Sequence, residues 1–433
     1  MPTPRRSPVA RALYDTLLTL VLPLALLRLY WRGRADPDYR LRIGERLGRY
    51  ERAPRAHTVW VHAVSVGELI AALPLIEAIR RERPALALLV TTATPAASRL
   101  LAQRLGDAVL HVYAPWDLPW IVRRFLDHFR PAAAIVMETE LWPNQVEACA
   151  ERGIPLLVAN ARLSAWSAQR YADFGALTRP MVQALTRVAA QTDADASRFR
   201  ALGAAAQSVV VTGSMKWDAE PSAPARARAA ALRARWSEDG ARAVWIVAST
   251  HPGEDEAVLA GLEALRREHP RLLLVLVPRH VERAPAVAER ARAAGYATVM
   301  GGSQTPTDEA AVLVIDSVGE LSLLYGAADI AFVGGSLVRR GGHNFAEAAA
   351  WGIPLLSGPS VYNFGDMSAR LAAAGALKVV ADGAALLRVA GELLADAPRR
   401  ERAGVAARAV VEANRGALAR LLAEVMAVLP PAP

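Results

Sequence analysis

The chain has 433 residues, 53% of them hydrophobic and 21% charged, and a formal net charge of +9. The length exceeds one ordinary core, so two domains are expected, and the balance of apolar to charged residues excludes a disordered chain. The single cysteine, Cys149, excludes an internal disulfide framework and a cysteine-only zinc site, and it fits a reducing compartment.

Residues 1–57 hold twelve arginines against five acidic residues, so +7 of the +9 lies there. The same region holds LYDTLLTLVLPLALLRLYW (13–31), interrupted by Asp15, Pro23 and Arg28. Its apolar core falls short of the roughly 20 residues that a spanning helix needs, and no small-residue cleavage site follows it. Arg5, Arg6 and Arg11 precede it, Arg32 and Arg34 follow it, and Tyr30 and Trp31 suit the headgroup level. The segment reads as an N-terminal membrane anchor beside anionic lipid, spanning the bilayer or lying in its interface. The competing reading is an amphipathic helix packed on its own domain. Because the positive charge sits beside an apolar stretch, and no aromatic residues interleave with basic ones elsewhere, nucleic acid is not an expected partner.

From residue 58 short β-rich runs alternate with helical patterns. TVWVHAV (58–64), ALALLVTTA (85–93), VLHVYAP (109–115), AAAIVM (132–137), IPLLVAN (154–160), RVAAQT (187–192) and SVVVTG (208–213) are the expected strands of a first domain, 58–218. Residues 219–242, rich in Pro, Ala and charge, are the expected linker. The alternation restarts with VWIVAS (244–249), RLLLVLVP (271–278), AVLVID (311–316), DIAFVGG (329–335), IPLLSG (353–358) and ALKVVA (376–381), giving a second domain, 243–433, that ends in helices. This alternation predicts an α/β protein with two doubly wound parallel sheets facing a cleft and ligands at the carboxyl ends of the strands.

The chemistry-bearing residues fall in strand-to-helix turns. Ser65-Val66-Gly67-Glu68 follows the first strand, with Glu68 at a helix start whose dipole favours the ionised form. An ionised carboxylate there can serve as a general base, while an ordinary cap on Ser65 is the alternative. Glu138 and Glu140 follow AAAIVM and need partners if buried. In the second domain Pro278-Arg279-His280 ends a strand, Ser317-Val318-Gly319-Glu320 repeats the earlier turn, and Gly334-Gly335-Ser336 leads through Arg339 and Arg340 to a helix beginning at Asn344-Phe345-Ala346-Glu347. Glycines before a helix N-terminus offer an anion site, and Glu347 can accept hydrogen bonds from a ribose diol. No G-x-G-x-x-G or Walker A motif occurs, which argues against NAD and P-loop chemistry. His62, His251, His280 and His343 lack metal-ligand spacing, and the DPD (36–38) and DAD (193–195) runs fall where no metal–nucleotide site is expected.

HAVSVGE, METELWPN, TGSMKWD, ASTHPGEDE, VPRH, DSVGEL and FVGGSLV…GGHNFAEAAAWGIPLLSGP, in this order, resemble the 3-deoxy-D-manno-octulosonic acid (Kdo) transferases of lipopolysaccharide synthesis. The resemblance implies the GT-B glycosyltransferase fold and inverting transfer of Kdo from CMP-Kdo to a lipid A precursor at the cytoplasmic face of a bacterial inner membrane. It also implies no cofactor or metal beyond the donor substrate. It assigns Glu68 as the general base, Glu138 and Lys216 as supports of the transition state, and Pro278, Arg279, Val318, Gly319, Glu320, Asn344, Phe345, Ala346 and Glu347 to CMP. The alternatives are another GT-B sugar-nucleotide enzyme and a non-catalytic sugar-nucleotide-binding protein.

Overall fold

The computed structural model describes residues 7–238, 240–305 and 307–430. Arg5 and Arg6 of the basic flank lie outside them. The chain divides into two compact units, Met1–Met215 with Gly416–Pro433, and Lys216–Arg415.

The first unit is built on β1 (Thr58–His62), β2 (Ala87–Thr92), β3 (Leu110–Tyr113), β4 (Ala133–Met137), β5 (Leu156–Ala161), β6 (Arg187–Ala190) and β7 (Val209–Val211). All pairings are parallel, in the order β3-β2-β1-β4-β5-β6-β7. The central strands are apolar along their length because helices cover both faces: every residue of β1, β4 and β5 is buried. The strand order reverses between β1 and β4. A crevice opens at the carboxyl ends of the two strands flanking such a reversal.

The second unit carries β8 (Val244–Thr250), β9 (Leu273–Pro278), β10 (Thr298–Gly301), β11 (Val312–Ile315), β12 (Ile330–Val333), β13 (Leu355–Ser357) and β14 (Leu377–Val379). They too pair in parallel, in the order β10-β11-β9-β8-β12-β13-β14. Its reversal falls between β8 and β12. The sequence reading missed β10, a four-residue edge strand that is half-exposed and lacks an apolar run.

Residues 219–242 are not a bare linker. Ala223–Ser237 is a helix whose Leu232 and Trp236 are buried with Trp217 in the core of the second unit. The last helix, Ala417–Val428, joins the first unit rather than the second. Its Ala417, Leu421 and Val425 recur every fourth residue, one apolar stripe, and Leu421 and Val425 join the core where the helix lies against β5, β6 and the helix Val66–Glu82. Arg420 Nε donates to Thr212 O at 2.8 Å, and Arg187 pairs with Glu424 at 2.8 Å.

The N-terminal helix runs unbroken from Pro8 to Arg32, through Asp15, Pro23 and Arg28, and is long and apolar enough to cross a membrane by length and composition. Both readings of this segment find a counterpart. Leu13, Leu17, Leu20, Leu24 and Leu27 are exposed on one side. On the other, Arg11 contacts Asn144 and Glu147, Asn144 Nδ2 donates to Asp15 at 2.9 Å, and the Tyr14 hydroxyl donates to Asp117 at 2.9 Å.

Candidate active site

In the first unit both acidic turns lie at the β1/β4 reversal. Ser65 caps the helix Val66–Glu82: its Oγ accepts the Glu68 N–H at 3.2 Å and its hydroxyl donates to Glu68 Oε1 at 3.0 Å. Glu68 Oε2 reaches back to the Val64 N–H at 2.8 Å. The cap is therefore real, and it fixes the Glu68 carboxylate in place. Burial pushes Glu68 up to about 7, and the charges of Glu140 and Glu138 add to the rise, while the Val64 N–H opposes it. Desolvation and two neighbouring carboxylates thus act against the ionised form that a helix N-terminus favours. Gly67 is helical, without a positive φ. A Cβ there would meet only Ser65 Oγ at 3.9 Å, so packing does not require glycine at this position.

Glu138 follows β4 in the left-handed conformation, φ 56°, with its N–H donating to Ala159 O at 2.9 Å. A β-carbon in that region carries strain of about 1 kcal/mol or more, which the surrounding sheet must hold. Asn160 in the neighbouring β5 shares the conformation, φ 52°, where the β5–β6 register shifts. Glu140 accepts from Trp142 Nε1 at 3.2 Å, and burial raises its pKa. Among the described residues neither Glu138 nor Glu140 forms an ion pair.

Sequence reasoning passed over Asp117. It is buried, and its carboxylate accepts from the Asn144 N–H at 3.0 Å, the Gln145 N–H at 2.8 Å and the Tyr14 hydroxyl. It thus caps the helix Pro143–Glu151 and ties it to the N-terminal helix. An aspartate inside the otherwise apolar YAPWDLPW was the available signal.

In the second unit, loops after β8, β9 and β12 surround the β8/β12 reversal. They gather His251, His280 and His343, which the spacing had left scattered. The rings of His251 and His343 stack at 5.4 Å with Nε2 atoms 3.1 Å apart, and His280 stands edge-on to His251 at 6.0 Å. Burial holds His343 down at about 4, and Arg279 adds to that. Among the described residues no group of three or more His, Cys, Asp or Glu side chains is placed to hold a metal ion.

The glycine-rich loop departs from its expected role. Glu254, fully buried, accepts the N–H groups of Gly335 at 2.7 Å, Ser336 at 3.0 Å, Leu337 at 3.0 Å and His251 at 2.9 Å. The backbone nest that the sequence assigned to an incoming anion is filled by this side chain. The helix after it spans only Ala346–Ala350, so its dipole is short. The side chains of Arg279 and Arg340 are exposed at this end.

The other expected donor residues fall into two groups. Asn344 Nδ2 donates to Glu347 Oε1 at 3.1 Å, and burial raises the Glu347 pKa, while Phe345 and Ala346 are buried in the core. Lys216 lies in the turn Met215–Asp218, its Nζ 4.8 Å from the Phe364 ring, and Phe364 stands edge-on to Phe345 at 6.2 Å. Lys216 is thereby linked to the 344–347 segment through one aromatic pair. Pro278 is buried at the end of β9, and the Arg279 N–H donates to Thr250 O at 3.0 Å. Glu320 accepts from the Ser303 N–H at 3.1 Å, the Ser303 hydroxyl at 2.6 Å and the Ser317 hydroxyl, with Val318 exposed and Gly319 at φ 90°.

Two seven-stranded parallel sheets, each doubly wound, one in each compact unit, are the architecture of the GT-B fold. Solved structures of that fold align along most of the chain: a glycosyltransferase from Rickettsia africae (TM-score 0.56, 12% identity, 88% of this chain and 98% of that one) and a UDP-GlcNAc 2-epimerase from Neisseria meningitidis (TM-score 0.56, 14% identity, 86% and 99%). A family profile described as 3-deoxy-D-manno-octulosonic-acid transferase (kdotransferase) matches residues 41–219. The 3-deoxy-D-manno-octulosonic acid transferase of Haemophilus influenzae is 40% identical over 95% of this chain and 97% of its own length, and that of Bordetella pertussis is 39% identical over 96% and 98%. The chain belongs to the Kdo transferase family.

Proposed function

We propose that this enzyme transfers Kdo from CMP-Kdo to a hydroxyl of a lipid A precursor, with inversion, in lipopolysaccharide synthesis. The observation that carries the reading is Glu68: a carboxylate pinned by Val64 and Ser65 at a strand reversal, with a proton affinity poised near neutrality. Glu68 takes the proton of the acceptor hydroxyl as that oxygen bonds to the anomeric carbon of Kdo. The bond from that carbon to the phosphate oxygen breaks, and CMP leaves with the electron pair. Charge then builds on the phosphate beside the carboxylate of Kdo, and Arg279 and Lys216 offset it. Glu138 supports the transition state from the neighbouring turn. Glu347 and Asn344 hold the ribose, with Pro278, Val318, Gly319, Glu320, Phe345 and Ala346 shaping the nucleotide pocket.

The acceptor is an anionic amphiphile in a bilayer. Attachment to the cytoplasmic face of the inner membrane through the helix Pro8–Arg32, beside anionic lipid, fits its exposed leucines and flanking arginines. Incubation with a CMP-Kdo-generating system and a tetraacylated lipid A precursor, read by mass spectrometry, tests the reading. A mass increase of one or more Kdo units is expected, and an unmodified acceptor would refute it.

A further inference from the structure

The carboxylates at the carboxyl ends of the first unit's strands differ in how they are held. Glu68 is fastened by Val64 and Ser65, and Glu140 by Trp142 Nε1 at 3.2 Å. Glu138 is half-buried, and its carboxylate has no hydrogen bond or ion pair among the described residues. A group that must point at a reacting centre needs neighbours that hold its direction.

The residue beside Glu138 across the sheet is Asn160. β4 and β5 pair in parallel up to Met137 and Ala159, so the next step of that register sets Glu138 next to Asn160. Neighbouring strands lie about 4.8 Å apart and residues in register share a face, so a carboxylate on one strand can reach an amide on the other. Both residues take the left-handed backbone, φ 56° and φ 52°. Asn160 owes this to a bulge: from Val158 to Ala161 β5 advances three residues, while from Val188 to Ala190 β6 advances two. A bulge re-aims the side chain that it carries. Gln191 holds the bulge, its Nε2 donating to Asn160 O at 2.8 Å and its N–H to Ala161 O at 2.9 Å.

The Asn160 side chain is fully buried. Its Oδ1 accepts the Met215 N–H at 3.4 Å, which identifies the other amide atom as the Nδ2 donor, and Nδ2 has no partner among the described residues. A buried donor left unpaired destabilises a fold, and so does a left-handed backbone at a residue other than glycine. Both occur at one position, and that position adjoins a carboxylate that nothing fastens. Hydrogen bonds of this kind are often unmade without substrate and tighten in the reacting complex. We infer that Asn160 is a positioning residue for Glu138: in the reacting complex its Nδ2–H donates to the Glu138 carboxylate and fixes the direction in which that carboxylate points. Asn160 moves no proton itself. The inference rests on the role proposed above for Glu138 and names the residue through which the fold controls it.

The test is a double-mutant cycle on transfer to the tetraacylated lipid A precursor, with CMP affinity and thermal melting measured on each protein. Asn160→Gly keeps the left-handed backbone without strain and removes the amide. Asn160→Asp keeps the shape and sets a second acceptor against Glu138. A positioning role predicts kcat lowered ~10- to 100-fold in Asn160→Gly, because a hydrogen bond to a charged group is lost, and lowered further in Asn160→Asp. The acceptor KM and the CMP affinity stay at wild-type values. Asn160→Gly melts close to wild type, because relief of the strain and of the unpaired donor offsets the lost packing. In a Glu138→Ala background Asn160→Gly lowers kcat no further, since the group that it positions is gone. A structural asparagine instead lowers the melting temperature and carries its kcat loss undiminished into the Glu138→Ala background. That result, or an unchanged kcat in Asn160→Gly, overturns the inference. Failure of the Glu138 reading looks different: Glu138→Ala by itself then turns over at the wild-type rate, and Glu138 leaves the mechanism together with its positioning residue.

Discussion

The tetrapeptide Ser-Val-Gly-Glu occurs twice, at 65–68 and 317–320, each time after a parallel strand and at the start of a helix. In the first unit Val66 and Gly67 are already helical, and the carboxylate turns back on its own turn, to Val64 and Ser65. In the second, Gly319 is left-handed at φ 90°, Val318 is exposed, and the carboxylate crosses to a different loop at Ser303. Burial raises Glu68 to about 7. Burial acts on Glu320 too, but three donated hydrogen bonds from Ser303 and Ser317 win and hold it below its ordinary range. Identical letters thus yield a carboxylate of raised proton affinity in one unit and a braced anion in the other. The partners supplied by the tertiary structure decide which.

The sharpest way to break this contrast is to neutralise each glutamate. Glu68→Gln keeps shape and one acceptor but cannot take a proton, so kcat should fall by about 10²–10⁴ with CMP affinity unchanged. Glu320→Gln should leave the chemical step nearly intact and act on nucleotide affinity and on the 303 loop. Equal kcat losses in both variants would remove the distinction.

Charge at the second reversal is the next largest effect. Arg279→Ala should weaken CMP binding by ~10- to 100-fold, because a charge-assisted contact is lost, and the loss should shrink at high salt. Glu347→Ala should weaken it by only ~3- to 10-fold, with little salt dependence, because ribose hydrogen bonds are lost instead. Titration calorimetry at two ionic strengths separates them, and matching salt slopes would contradict the assignment.

The pH dependence follows from the sign of the Glu68 shift. A general base must be ionised, so kcat/KM should rise about tenfold per pH unit on the acid side and level off above about 7. The linked stability runs the other way. The folded value lies above the ordinary one near 4.5, so the folded state holds the proton more tightly. The stabilisation is complete below about 4.5 and is lost as pH rises to about 7. Glu68→Gln should therefore melt higher than wild type at pH 8 and nearly level with it at pH 4. The reverse order would mean that Glu68 is stabilised as an anion, like Glu320.

Much was legible in the linear chain. Thirteen of the fourteen strands announce themselves as apolar β-rich runs, because a parallel sheet covered on both faces demands them. The strand-to-helix turns announce themselves through Gly and capping residues, so Glu68, Arg279 and the 344–347 segment stand out as candidates from pattern, while Glu138 is set apart from Glu140 only by the resemblance. What could not be read is which long-range partner each polar group finds. Glu254 fills the glycine loop from 81 and 82 residues away, a fact that no local motif encodes. Three histidines converge because β8, β9 and β12 are neighbours in the sheet. The last helix crosses back to the first unit because its apolar stripe finds the core beside β5 and β6. Asn160, at the end of the apolar run IPLLVAN, is set apart only by its left-handed backbone and its buried, unpaired amide. Periodicity and turn chemistry are short-range and survive in one dimension. Desolvation and hydrogen-bond partnership depend on contacts between residues far apart in the chain, and only the folded structure decides those.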